Sequence, residues 1–209
     1  MSDFCKRMTA IAWMVMLLLP WTVGCIYHPT PMAFDQTYRI LDGAETMDLK
    51  DVLPPGRYCL EATDGKGLFH LSEPIGAGEN LIMGRSFSTR NWVDVEDGEL
   101  LKFNDARLWS EADKEAMPTL EPPYEHGTFW VGVDVVPGRY TVKGLDHPKD
   151  LLPFCKIVDR PGRTDVNVLR AYDVAHDVEV DAHAGEFIVL RYAVAELIEP
   201  FTDEQESMK

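Results

Sequence analysis

The sequence predicts an all-β protein: two tandem small antiparallel β-sandwich or barrel-like modules behind an N-terminal signal segment. Three observations predict it. The phrase DVLPPGRYCL at 51–60 returns as DVVPGRYTV at 134–142, so one structural unit is written twice. The residues after each phrase alternate apolar and polar with a period of two, the pattern of a strand with one buried face. No stretch beyond residue 25 carries the sustained 3.6-residue periodicity of a long amphipathic helix, and residues 110–117, SEADKEAM, have room for one or two helical turns.

The elements follow in chain order. Residues 1–7 end on Lys6 and Arg7, residues 8–24 carry no charged side chain, and Cys25 comes next. A basic start, an apolar run and small residues before a cleavage point make an export signal. TVGC at 22–25 resembles the lipobox of bacterial lipoproteins, with Thr22 where Leu is usual; the resemblance implies a lipidated Cys25 as the first residue of the mature chain. An uncleaved membrane anchor and a plain signal peptide are the two other readings, and all three put residues 26–209 outside the cytoplasm. The organisation expected is a signal peptide at 1–24 and a tether at 25–36. A first module spans 37–109, a Pro-rich linker 110–126, a second module 127–199 and an acidic tail 200–209.

Within each module the first expected feature is a Pro-Gly turn, Pro55-Gly56 and Pro137-Gly138. Pro sets φ at the second turn position, and Gly supplies a positive φ at the third. The turn launches a strand carrying Tyr58 in one copy and Tyr140, 82 residues later, in the other. The last feature is a hairpin: VDVEDGELLKF at 93–103 turns at Gly98, and VEVDAHAGEFIVL at 178–190 turns at Gly185, 87 residues later. Further strands are expected at 36–41, 67–73, 80–87, 127–135, 152–158 and 165–174. Cys59, out of phase with Tyr58 and Leu60, is expected to face away from its own module's core.

GTFWVGVDVVPGRYTV at 127–142, closing on the second hairpin, resembles a family of small β-domains found in secreted proteins and lipoproteins of Gram-positive bacteria. Its signature runs GTYxVGxDIPxGxY and ends VxVxDGxYLxL. The first copy keeps DVLPPGRY and VDVEDGELLKF but lacks a clear lead-in. The resemblance implies a fold for residues 45–198 and no catalytic residues.

Composition narrows the function. Lys and Arg number 20 against 35 Asp and Glu, a net charge of −15 with no basic cluster, which disfavours nucleic acid. No zinc or redox CxxC, Walker loop, HExxH, GxSxG or GxGxxG occurs, so no cofactor or metal is assigned. Asp177, Glu179, Asp181 and His183 share one strand face and are the best metal candidates, against the plainer reading of a solvated, aggregation-resistant face. Trp92, Trp109, Trp130, Tyr58 and Tyr140 offer a sugar-stacking platform or core packing. Cys59 and Cys155 either bridge the modules in an oxidising compartment or stand as separate thiols. The expected function is a non-catalytic envelope or surface binding module, held to the membrane by an N-terminal lipid, with an envelope protein or glycan as partner. A hydrolase using paired carboxylates and a structural or regulatory spacer are the alternatives.

Overall fold

The computed structural model describes residues 36–40, 52–162 and 167–202; Cys25, the signal segment and the final acidic residues lie outside them. In the first half the strands are β1 (Gln36–Ile40), β2 (Val52–Leu53), β3 (Gly56–Ala62), β4 (Gly67–Ile75), β5 (Gly78–Phe87), β6 (Arg90–Val95), β7 (Leu100–Asn104) and β8 (Ala106–Ser110). A 3-10 helix, Glu111–Ala116, follows; Asp113 Oδ2 holds its start by accepting from the Ser110 hydroxyl at 2.6 Å and the Ser110 backbone N–H at 3.3 Å. The second half holds β9 (Tyr124–Trp130), β10 (Gly138–Gly144), β11 (Phe154–Val158), β12 (Val168–Asp173), β13 (Val178–Ala182) and β14 (Phe187–Pro200). The protein is all-β.

One sheet runs β2-β1-β7-β4-β5. The other runs β12-β11-β14-β9-β6-β3-β8, with β10 joined to β13 and β14. The pairs β1–β2 and β6–β9 are parallel, so the sheets are mixed and not purely antiparallel. Hairpin signals report only neighbours joined by tight turns, which are antiparallel by construction; a pair closed between distant segments leaves no such mark.

The repeated phrase folds into the same hydrogen-bond plan each time. Gly56 pairs with Val95, and Gly138 with Ala182. Leu101 pairs with Leu71 and Tyr38; 87 residues later Ile188 pairs with Ile157 and Phe129. Leu60 pairs with Leu108, and Val142 with Ala195. Where the first half breaks into β7 and β8, the second continues as the single strand β14. Gln36-Thr37-Tyr38 thus stands where Gly127-Thr128-Phe129 stands in the second half. It is the lead-in that the sequence hides, because Tyr58 lies 20 positions after Tyr38 and Tyr140 only 11 positions after Phe129.

The shared residues build this scaffold. The Tyr58 hydroxyl donates to the Pro54 carbonyl at 2.8 Å, and the Tyr140 hydroxyl donates to that of Val136. Arg57 Nε donates to Asp94 Oδ1 at 2.7 Å, and Arg139 Nε to Asp181 Oδ1 at 2.8 Å. Gly98 and Gly185 have φ of 85° and 87°, as their hairpins require. The residue after each is a buried glutamate that caps the turn: Glu99 accepts from the Glu96 N–H at 2.7 Å and Glu186 from the His183 N–H at 2.9 Å.

Gly56 and Gly138 do not adopt the positive φ expected of them. Each is already the first paired residue of an extended strand. Gly138 is needed for another reason: a Cβ there would strike the Glu199 carbonyl and lie 3.1 Å from the Pro200 Cα. The strand expected at 127–135 also stops early. Val131–Val135 is a turn, with Gly132 at φ 90° and Asp134 Oδ2 accepting from the Trp130 N–H at 2.8 Å.

Each half has its own core, one around Tyr58, Leu60, Phe69 and Phe103 and one around Phe129, Tyr140, Ile157 and Ile188. A third cluster draws on both halves: Cys59 and Trp92 with Val158, Phe187 and Val189. Cys59 therefore faces away from the first core, and β3 is buried on both sides. The segment between the halves is packed as well, with Met117 and Tyr124 buried. The described residues all fall in one compact unit.

A buried ionic network crosses the same junction. Arg90, 1% exposed, donates from Nη1 to Asp134 Oδ1 at 2.7 Å and from Nη2 to Glu61 Oε1 at 3.0 Å and to the Pro118 carbonyl. Trp92 Nε1 donates to Asp134, and Trp109 Nε1 to Glu61 Oε2 at 2.9 Å. Burial works against the Arg90 charge, and Asp134 and Glu61 together overcome it, so the guanidinium stays charged.

Candidate functional site

Most residues singled out in the sequence turn out to serve the scaffold. Pro55 and Pro137 sit in the bends before β3 and β10. Tyr58, Tyr140 and Trp92 are buried, so they are core and not a stacking platform. Asp181 is engaged by Arg139, and among the described residues no group of three His, Cys, Asp or Glu side chains converges as metal ligands. Cys59 and Cys155 are free, buried thiols in different clusters, so the bridge between modules does not form.

A cleft of about 480 Å³ lies at the junction of the two halves, lined by residues that the copies do not share. Its apolar wall comes from Leu68 at the start of β4, Phe87 at the end of β5, Leu145 after β10 and Tyr192 within β14. Ser86, Asp105, His126 and Asp146 also line it, as does Lys66. Gly67 gives the wall its shape, since any side chain there would run into the Phe87 ring.

Asp105, His126 and Tyr192 have φ of 53°, 34° and 47°. They are the three non-glycine residues with positive φ among those described, and all three line this cleft. Such a backbone costs about 1–3 kcal/mol per residue and gathers where the surrounding fold over-determines it. Two of the three are explained by the corner each half must turn. The Asp105 carbonyl accepts from the Thr63 N–H at 2.9 Å and the Tyr192 carbonyl from the Leu145 N–H at 2.7 Å, 87 and 82 residues apart as the repeat requires. At His126 the β9–β14 register shifts, between the pairs Leu190–Gly127 and Val194–Glu125. Gly127 follows because the Arg90 carbonyl of β6 lies against it and leaves no room for a Cβ.

His126 ties the halves together across the cleft. Its Nδ1 accepts from the Tyr192 backbone N–H at 2.9 Å, and its Nε2 lies 3.1 Å from Ser86 Oγ. The Tyr192 N–H fixes the tautomer: Nδ1 carries the lone pair, so the proton sits on Nε2 and is donated to Ser86. A serine nucleophile needs the opposite arrangement, an Nε2 lone pair that takes its proton. Burial holds the His126 pKa below its ordinary value; contact with Ser86 opposes this, and Arg191 and Arg85 add to it. The imidazole is therefore a neutral structural clasp.

The sequence pointed to none of these cleft residues as a site. His126 shows no ligand-like spacing with His70 or His147, and a corner residue such as Tyr192 sits inside an unbroken strand pattern. Among the described residues no helix is long and apolar enough to cross a membrane. No family model, no curated protein and no solved structure matches this chain.

Proposed function

We propose that this chain is an exported protein, lipid-anchored at Cys25, whose β-unit consists of two copies of one module and acts as a non-catalytic binding module at the cell envelope. One observation carries this reading: residues common to both copies are spent on turns, caps and cross-strand pairs, while the junction cleft is lined by residues whose identities differ between the copies. A duplicated scaffold that presents an unshared concavity is the layout of a binder. The tautomer of His126 supports it, because the one serine–histidine contact in the cleft is wired against proton abstraction. The export signal and the lipobox-like TVGC supply the location.

The test has two arms. The full chain, immobilised and exposed to envelope extract, should retain a discrete component. Retention of nothing overturns the binding role, and release of cleaved peptidoglycan or glycan overturns the non-catalytic one. Metabolic labelling with an alkyne fatty acid should mark the wild type and not Cys25→Ala; label that persists in the variant refutes attachment at Cys25.

A further inference from the structure

The geometry points to a neutral oligosaccharide as the ligand of the junction cleft. The inference rests on the binding-module reading and names what that module holds. A volume of about 480 Å³ falls within the range of small-molecule sites, about 300–1,000 Å³. Its wall, formed by Leu68, Phe87, Leu145 and Tyr192, whose ring also packs beside His126 and His147, calls for a ligand with an apolar face. Asp105 and Asp146 call for hydrogen-bond donors on the same ligand, since carboxylates only accept. A sugar ring meets both demands at once: its C–H face lies against an aromatic ring while its hydroxyls donate outward.

Rival chemistries fit less well. An anionic ligand meets two carboxylates against one ammonium, Lys66, on a chain of net charge −15. An extended peptide gains its affinity by adding to a strand edge. Here the lining comes from strand ends and corners whose main chain is engaged already, through Thr63 to Asp105 and Leu145 to Tyr192. The corner strain at Asp105 and Tyr192 and the His126 clasp hold these groups in place before any ligand arrives, which reduces the ordering cost of binding.

The experiment is calorimetric titration of the full chain, in a detergent without a sugar headgroup, with cellotetraose, chitotetraose, maltotetraose and a neutral tetrapeptide. At least one tetrasaccharide should bind saturably with a Kd of about 1 mM or tighter. Two variants keep the backbone able to fold. D105N/D146N replaces the carboxylates and retains a residue type that tolerates left-handed φ at 105, and Tyr192→Gly removes the ring while relieving the strain and keeping the N–H to His126. Each should weaken binding at least about ten-fold, the loss of one good contact, while a cooperative melting transition shows that the variant is still folded. Absence of binding by all three tetrasaccharides overturns the inference, as does binding of the tetrapeptide alone or sugar binding unchanged in both variants. Should the wild type capture an envelope component and Tyr192→Gly capture it equally, the cleft assignment fails while the binding role stands.

Discussion

Gly56 and Gly138 occupy the same place in the two copies of PGRY, and their surroundings differ. A Cβ at 56 would meet the Tyr58 ring at 3.8 Å, an ordinary contact. A Cβ at 138 would collide with backbone of β14, which cannot rotate away. Gly138→Ala should therefore cost about 1–3 kcal/mol through forced backbone displacement. Gly56→Ala, at an extended residue, should be neutral or stabilising by up to about 1 kcal/mol because alanine restricts the unfolded chain. Urea denaturation of both variants checks this, and equal costs would show that the turn and not the neighbouring strand sets the requirement. The cysteines carry a second residue-scale prediction. Burial pushes the Cys155 thiol to about 12 and raises Cys59 well above its ordinary value, so neither forms thiolate near neutrality. Iodoacetamide at pH 8 should leave both unlabelled in the folded protein and label both in urea. Peptide mapping without reductant should find no fragment joining them.

At the scale of elements, β9 and β14 slip against each other at His126, and that slip creates the clasp. Its folded pKa lies below the ordinary 6.5, so neutral His126 contributes stability that is present above about pH 6.5 and lost as pH falls through the folded value. Protonation of Nδ1 removes the acceptor for the Tyr192 N–H. An NMR titration should show the His126 ring protonating below pH 6.5, with amide exchange at Tyr192 accelerating in step; a midpoint above 6.5, or exchange indifferent to it, would contradict the clasp. The sequence made such pieces legible unevenly. Gly98, Gly185 and the alternation around Tyr58 and Tyr140 are local, and local chemistry is written in adjacent residues. β1 as counterpart of β9 was hidden by a longer connection. It was hidden too by Gln36 standing where Gly127 stands, which is tolerable because β1 has β2 and not β6 on its other side. The cleft was illegible, since its residues come from segments up to about 127 positions apart that only the sheet order unites.

The whole molecule depends on how its halves are joined. One parallel pairing, Asn91 with Thr128, carries the sheet across, with Thr128 Oγ1 donating to Asn91 Oδ1 at 3.0 Å. A single pairing is weak by itself, and the shared apolar cluster with the Arg90 network reinforces it. In that network Arg90 is 1% exposed and Asp134 0%, so Asp134 depends on Arg90 for its charge partner, while Arg90 is shared between Asp134 and Glu61. Removing one partner of such a pair strands a charge away from water and costs about 3–5 kcal/mol, whereas replacing both by apolar groups is often neutral. Asp134→Ala should therefore lose about that much, and the double variant Arg90→Met, Asp134→Leu should recover only part of it, because the Trp92 Nε1–H and the Trp130 N–H lose their acceptor and Glu61 keeps only Trp109. Because the network takes Glu61, Arg90, Trp92 and Trp109 from one half and Asp134 from the other, the wild type should unfold in urea as one transition by fluorescence and by amide signals from both halves. In Asp134→Ala the two sets of signals should separate, since each half keeps its own core. Two transitions in the wild type, or a loss below about 1 kcal/mol in Asp134→Ala, would mean that the buried ions are incidental to the joining of the halves.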